Sequence, residues 1–159
     1  IGYPDQAVEK EILSSQMKSH PISAITYVAR TMDLVQCQAL VRAVHVAEPV
    51  KEYIIKLATA TRNHPGLSVG VSPRAALALM RAGQALAAYH GRRYVLPSDI
   101  RDLAVNVLAH RVQVKVRAQT ELENGVQIIE EILRKIPIDD LREEDLQQQV
   151  ASKTVSVSL

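Results

Sequence analysis

The chain has 159 residues, 47% of them hydrophobic, and a formal net charge of +2. That composition is rich enough for a packed core and excludes disorder on compositional grounds. The charge is too small to imply nucleic acid by itself. Phe and Trp are absent, so Leu, Ile, Val and Ala with a few Tyr must build the core, which suits closely packed helices. With Cys37 as the single cysteine, no internal disulfide can form. No uninterrupted apolar run reaches the roughly 20 residues of a membrane span. The opening "IGYPDQAVEKE" has no basic leader, no apolar run and no initiator Met. The expectation is a cytoplasmic chain cut from a longer protein.

Taken in chain order, "YPDQAVEKEILSSQM" predicts a first helix, with Pro4, Asp5 and Glu9 suited to its start and Val8, Ile12 and Leu13 on an apolar side. Residues 19–31 are mixed and receive no assignment. "DLVQCQALVRAVHV" predicts a second helix that starts after Asp33 as its cap. Its apolar stripe of Leu34, Cys37, Leu40 and Val41 makes Cys37 a buried, inert thiol rather than a nucleophile.

A third helix spans 48–63, with Val50, Tyr53, Ile54, Leu57, Ala58 and Thr61 on one face and His64-Pro65-Gly66 as its stop. The fourth, 72–90, is apolar almost all round, which predicts neighbours on several sides; Gly91 ends it. Pro97 and Asp99 open a fifth helix whose stripe is Ile100, Leu103, Ala104, Val107 and Leu108, and His110 and Arg111 complement its negative end. Alternation over 112–116 predicts a short strand, and 126–136 a last short helix. The mixed-charge run "EEILRKIPIDDLREEDL" reads as solvated helix and linker. The expected architecture is an all-α helical bundle of about four to five helices with a minor short β element.

"GVSPRAALAL" carries the chemistry. Ser72 can accept a free backbone N–H, and Pro73 fills the first helical position, where no N–H is missed. Arg74 then places a cation at the positive end of a helix, unfavourable by about 0.3–1 kcal/mol when exposed. An anion resolves the conflict, because unpaired N–H groups and a planar guanidinium together suit a phosphate or a carboxylate. From the residues alone a second reading stays open, in which Arg74 pairs with a carboxylate of its own domain or points into water. Arg81 lies seven residues on, on the same face, and Gln84 extends that polar strip.

The segments "YPDQAVEKEIL", "YIIKLATATRNHPGLSVGVSPRAALALMRAGQALAAYHGRRYVLPSDI" and "LAVNVLAHRV" resemble, in order over roughly 2–136, the C-terminal helical lid of MoxR-family AAA+ ATPases. Val71 stands where that family often has Ala, and Leu96 where it usually has a capping Thr. The resemblance implies that Arg74 is the sensor-2 arginine, with Ser72 and Pro73 weaker contributors at the helix start, and that the anion is the ATP phosphate. It also implies Mg²⁺ and ATP held by an AAA+ core domain in cis. Neighbouring subunits in a ring, usually a hexamer, are implied as well. So is a chaperone-like role in assembling or activating partners such as von Willebrand factor A domain proteins, or in inserting metal cofactors. On this reading residues 1–120 are the lid, 121–137 a C-terminal helix on it and 138–159 a polar tail or linker.

Nothing fits G-x-x-x-x-G-K-[ST], and no apolar strand ends in paired acids. Phosphoryl transfer needs several groups acting together, so no catalytic residue is expected in the chain by itself, and no tight nucleotide binding. The histidines at 20, 45, 64, 90 and 110 lack metal-ligand spacing, and no metal site is expected. Arg92-Arg93 with Arg101, and His110-Arg111 with Lys115 and Arg117, read as a solvated rim or a docking edge. An alternative function is a stand-alone helical protein-interaction or nucleic-acid-binding module, although stacking aromatics are missing.

Overall fold

The computed structural model describes residues 3–17, 20–115 and 121–138. Among these are six α-helices, two 3-10 turns and one two-stranded ribbon. This is the predicted mostly helical class with a minor β element. The expected tail lies outside the described residues, apart from Ile138. The chain divides into two compact units, Ile1–Gln36 and Cys37–Leu159.

In the first unit, α1 (Gln6–Ser15) starts where Asp5 accepts the Val8 N–H at 2.9 Å. A 3-10 turn follows at Pro21–Ala24, opened by His20 Nδ1 accepting the Ile22 N–H. The next helix, α2 (Thr31–Ala43), which runs across the division at Gln36, begins two residues before Asp33. Asp33 is therefore not the residue before the helix. It lies in the first turn and reaches back to accept the Arg30 N–H at 2.8 Å.

Neither α1 nor α2 buries any residue. Val8, Ile12 and Leu13 are exposed, as are Leu34 and Leu40. Cys37 is exposed too, which corrects its expected burial. A 3.6-residue stripe says which face of a helix is apolar; it does not say that a neighbour covers that face.

The second unit holds the core. Helix α3 (Glu48–Arg62) buries Val50, Tyr53, Ile54, Leu57, Ala58 and Thr61, the six residues its periodicity predicts. Helix α4 (Pro73–Tyr89) buries Ala75, Leu79, Gly83, Gln84 and Ala87. Arg74, Leu77, Arg81 and Ala85 stay outside, so α4 is enclosed on one side rather than all round. Helix α5 (Pro97–Leu108) turns Ile100, Ala104 and Leu108 inward and continues into a 3-10 turn, Ala109–Arg111. The last helix, α6 (Glu121–Lys135), starts five residues before the hydrophobic signal at Val126. It runs so close to the 3-10 turn that a Cβ on Gly125 would stand 2.7 Å from the Ala109 carbonyl oxygen.

The strands β1 (Leu67–Val69) and β2 (Gln113–Val114) pair antiparallel, Leu67 opposite Val114 and Val69 opposite Gln113, with an irregularity between. The predicted strand is thus shorter than 112–116, and Val116 lies outside the described residues. His45 and Tyr94 form a separate parallel bridge. Leu57, Leu79, Ile100, Leu108 and Ile129 are almost fully buried and join α3, α4, α5 and α6 in one cluster. At about 1.5–3 kcal/mol per fully buried side chain, this cluster dominates the stability of the unit.

Candidate functional site

The mouth of α4 is built by the end of α3. Thr61, the last buried residue of α3, is fully enclosed. Its hydroxyl donates to the Ala58 carbonyl at 2.6 Å, and its oxygen accepts the Val71 N–H at 2.9 Å. Arg62 Nε donates to the Val71 carbonyl at 2.8 Å. Two consecutive residues of α3 therefore satisfy both peptide groups of Val71, whose side chain is itself in the core. The chain can pass this closely because residue 70 is Gly. A Cβ there would stand 2.6 Å from the N and Cα of Arg62.

Ser72 then has extended backbone, and its Oγ accepts the Ala75 N–H at 3.2 Å. Pro73 has no N–H to satisfy. The Ala76 N–H reaches the Ser72 carbonyl. Of the first-turn donors, this leaves the N–H of Arg74 with no acceptor among the described residues. The Arg74 side chain is exposed, and its guanidinium likewise has no hydrogen-bond or ion-pair partner among the described residues. Ala75 and Leu79 pack into the core and set the helix rotation that keeps Arg74 and Arg81 outside. Arg74 thus offers an unaccepted backbone N–H and an exposed guanidinium at the positive end of α4, donors of the kind that suit an anion.

Other polar residues are placed differently from the sequence expectation. Gln84 does not extend the Arg74–Arg81 strip. It is buried, and its Nε2 donates to the Val44 carbonyl at 2.8 Å and the Arg42 carbonyl at 3.4 Å. The reason is that the end of α2 and the residue that follows it bring the carbonyls of Arg42 and Val44 to α4, where they need a donor. Arg92 is not part of a solvated basic rim. It grips Asp99 with both Nη atoms, at 2.8 and 2.6 Å, and also donates to the Tyr94 carbonyl.

Asp99 in turn accepts the Leu96 N–H at 2.8 Å. That bond starts α5 although Leu96 offers no side-chain cap. Arg111 Nε reaches the His110 ring, and Arg117 lies outside the described residues. His64 Nε2 stands 3.6 Å from Glu131, which Lys135 also contacts. The Lys135 hydrogen bond and charge, with help from His64, hold the Glu131 carboxyl below its ordinary range.

Two concave surfaces among the described residues do not include Arg74. One of about 220 Å³ is lined by Ala60, Asn63, His64, Pro65, Ile132 and Ile136, among others. Another, of about 450 Å³, includes Leu40, Val44, Ala88 and Arg92. Arg74 is exposed, and a ligand held at an exposed residue needs a second wall.

Residues 59–132, which include Thr61, Arg62, Val71 and Arg74, match the AAA lid domain family. Protein YeaC of Bacillus subtilis is 40% identical over 140 residues, covering 87% of this chain and 44% of that protein. Chaperone MoxR1 of Mycobacterium tuberculosis is 26% identical over 147 residues, covering 87% and 38% respectively. The chain carries a MoxR-type AAA+ lid domain. A crystal structure of a proposed ATPase from Cytophaga hutchinsonii matches the MoxR-type lid with a TM-score of 0.71 and 31% identity. That match covers 86% of this chain and 44% of the other. The chain spans less than half the length of each of these proteins. Among its described residues no helix is long and apolar enough to cross a membrane.

Proposed function

We propose that this MoxR-type lid closes over ATP held by a separate AAA+ core domain and contacts the phosphates through Arg74, its sensor-2 residue. The observation that carries this reading is the pairing of an unaccepted N–H with an exposed, unpartnered guanidinium at the mouth of α4. Ser72 and Pro73 contribute by shaping that mouth. Phosphate oxygens suit both donors in charge. Mg²⁺ belongs with the core, since the α4 mouth offers it no carboxylate.

On this reading residues 1–120 act as the lid and 121–137 extend it. The complete protein is a ring of subunits, a hexamer, in the cytoplasm. Its hydrolysis cycle drives chaperone-like assembly or activation of partner proteins, von Willebrand factor A domain proteins among them. One relative bears the name chaperone, which supports this direction. The nucleic-acid alternative is weakened by the commitment of Arg92 to Asp99, which removes a central member of the basic patch.

The deciding experiment is Arg74→Ala in the full-length ATPase. Turnover is expected to fall by about tenfold or more, the scale of one lost charge-assisted contact, with the thermal midpoint unchanged. Unchanged turnover rejects the sensor role. Calorimetry of the isolated chain with ATP is expected to show no tight binding, and micromolar affinity would reject the dependence on a core domain.

A further inference from the structure

An arginine at a helix mouth can read a phosphate only if the mouth itself is held still. First turns are prone to fray, because their donors lack intrahelical partners. Displacements of about 1 Å cost on the order of 100-fold when geometry governs a reaction. The residue that enters this mouth is Val71, immediately before the Ser72 cap. Its N–H and C=O are both engaged, by Thr61 Oγ1 at 2.9 Å and Arg62 Nε at 2.8 Å. These bonds belong to no helix ladder and no sheet. They tie residue 71 to residues ten and nine positions earlier.

Thr61 is oriented for the task, since its own proton goes to the Ala58 carbonyl. That leaves a lone pair directed at Val71. Packing alone would accept Val at position 61, which has the same shape, so the hydroxyl has a specific use. Arg62 is exposed, and its described hydrogen bond is the one to Val71. Gly70 permits the approach, with no room for a Cβ against the Arg62 backbone.

We infer that Thr61 and Arg62 are positioning residues for Arg74, clamping both peptide groups of Val71 and so fixing the height and rotation of the α4 mouth. The inference rests on the proposed sensor role of Arg74. It adds to that role a two-residue support on a different helix.

The test measures ATP turnover by the full-length protein carrying Thr61→Val, Thr61→Ser, Arg62→Ala, Arg74→Ala, or Arg62→Ala with Arg74→Ala, each with its thermal midpoint. Arg62→Ala and Thr61→Val are expected to lower kcat by about 5- to 20-fold, within the range that misplacement produces. Thr61→Ser keeps the hydroxyl and is expected to stay within about twofold of the parent. In the Arg74→Ala background, Arg62→Ala is expected to add less than about twofold, because a residue acting through another loses its effect with it.

If Arg74→Ala lowers turnover while Arg62→Ala and Thr61→Val do not, the clamp is overturned and the sensor reading stands. Full additivity of Arg62→Ala and Arg74→Ala also overturns it, since Arg62 would then act independently. If Arg74→Ala leaves turnover unchanged, the sensor reading fails and the clamp fails with it. Should Thr61→Val unfold the protein, Arg62→Ala decides alone, because its side chain is exposed and the core survives its removal.

Discussion

Arg92 and Asp99 meet in a two-pronged ion pair, Nη1 to Oδ2 at 2.8 Å and Nη2 to Oδ1 at 2.6 Å. The pair joins the segment after α4 to the first turn of α5. The same carboxylate holds the Leu96 N–H, so a single acid both caps one helix and ties it to the end of another. Its side chain is 7% exposed and that of Arg92 is 22% exposed, so solvent screens the pair only weakly.

Asp99→Asn is therefore expected to destabilise the chain by about 3–5 kcal/mol, the cost of leaving one buried charge without its partner. Arg92→Met should cost a similar amount. Urea midpoints measure both, and a loss below about 1 kcal/mol would place the pair among ordinary surface salt bridges.

Arg74→Ala should have opposite signs in two assays. In the full-length protein it is expected to lower ATP turnover, on the proposed sensor role. In the isolated chain it removes a cation from the positive end of α4 and is expected to raise stability by about 0.3–1 kcal/mol at low salt. Thermal and urea unfolding check the second part. A destabilisation above about 1 kcal/mol would mean that Arg74 holds the fold rather than a ligand.

Glu131 supplies a pH signature. The Lys135 hydrogen bond, the Lys135 charge and the nearby His64 all favour the carboxylate, so its proton leaves below the ordinary value of 4.5. A carboxyl depressed in the folded state contributes stability above its unfolded pKa, and that contribution disappears as pH falls through the folded value. Glu131→Gln is expected to flatten the fall in stability below pH 4.5 and to leave its neutral-pH fold intact. Urea midpoints across the acid range test the slope, and an NMR titration of the side chain tests the direction.

Two glycines should respond to alanine for different reasons. A Cβ at Gly83 would stand 2.6 Å from Ile100 Cδ1 and 3.2 Å from Val95 Cγ1, both in the packed core. Overpacking of about 1–3 kcal/mol then offsets the helix-propensity gain of about 1 kcal/mol, so Gly83→Ala is expected to be neutral to destabilising by about 2 kcal/mol. Gly91 has φ of 71° and open space where a Cβ would go. Gly91→Ala should cost about 1–2 kcal/mol through the backbone alone, and Gly91→Asn less. Equal losses at the two sites for Ala and Asn would contradict this division.

What the amino-acid order by itself determined was local. The buried face of α3 matches its 3.6-residue period residue by residue, because that period places the six residues on one side of the helix. The start of α4 follows from Ser72 and Pro73, whose effects act within one turn. The joined motif from Thr61 to Asp99 named the family for the same reason, being continuous in the chain.

What only the tertiary structure decided was which distant groups satisfy one another. Gln84 looks like surface until the Val44 carbonyl is placed beside it. Arg92 looks solvated until Asp99 is turned towards it. Cys37 looks buried until α2 proves to bury nothing. Thr61 and Arg62 look like the end of one helix until Val71 returns across them. Periodicity and capping are short-range properties of the chain, whereas a buried polar group must find its partner wherever the fold brings one.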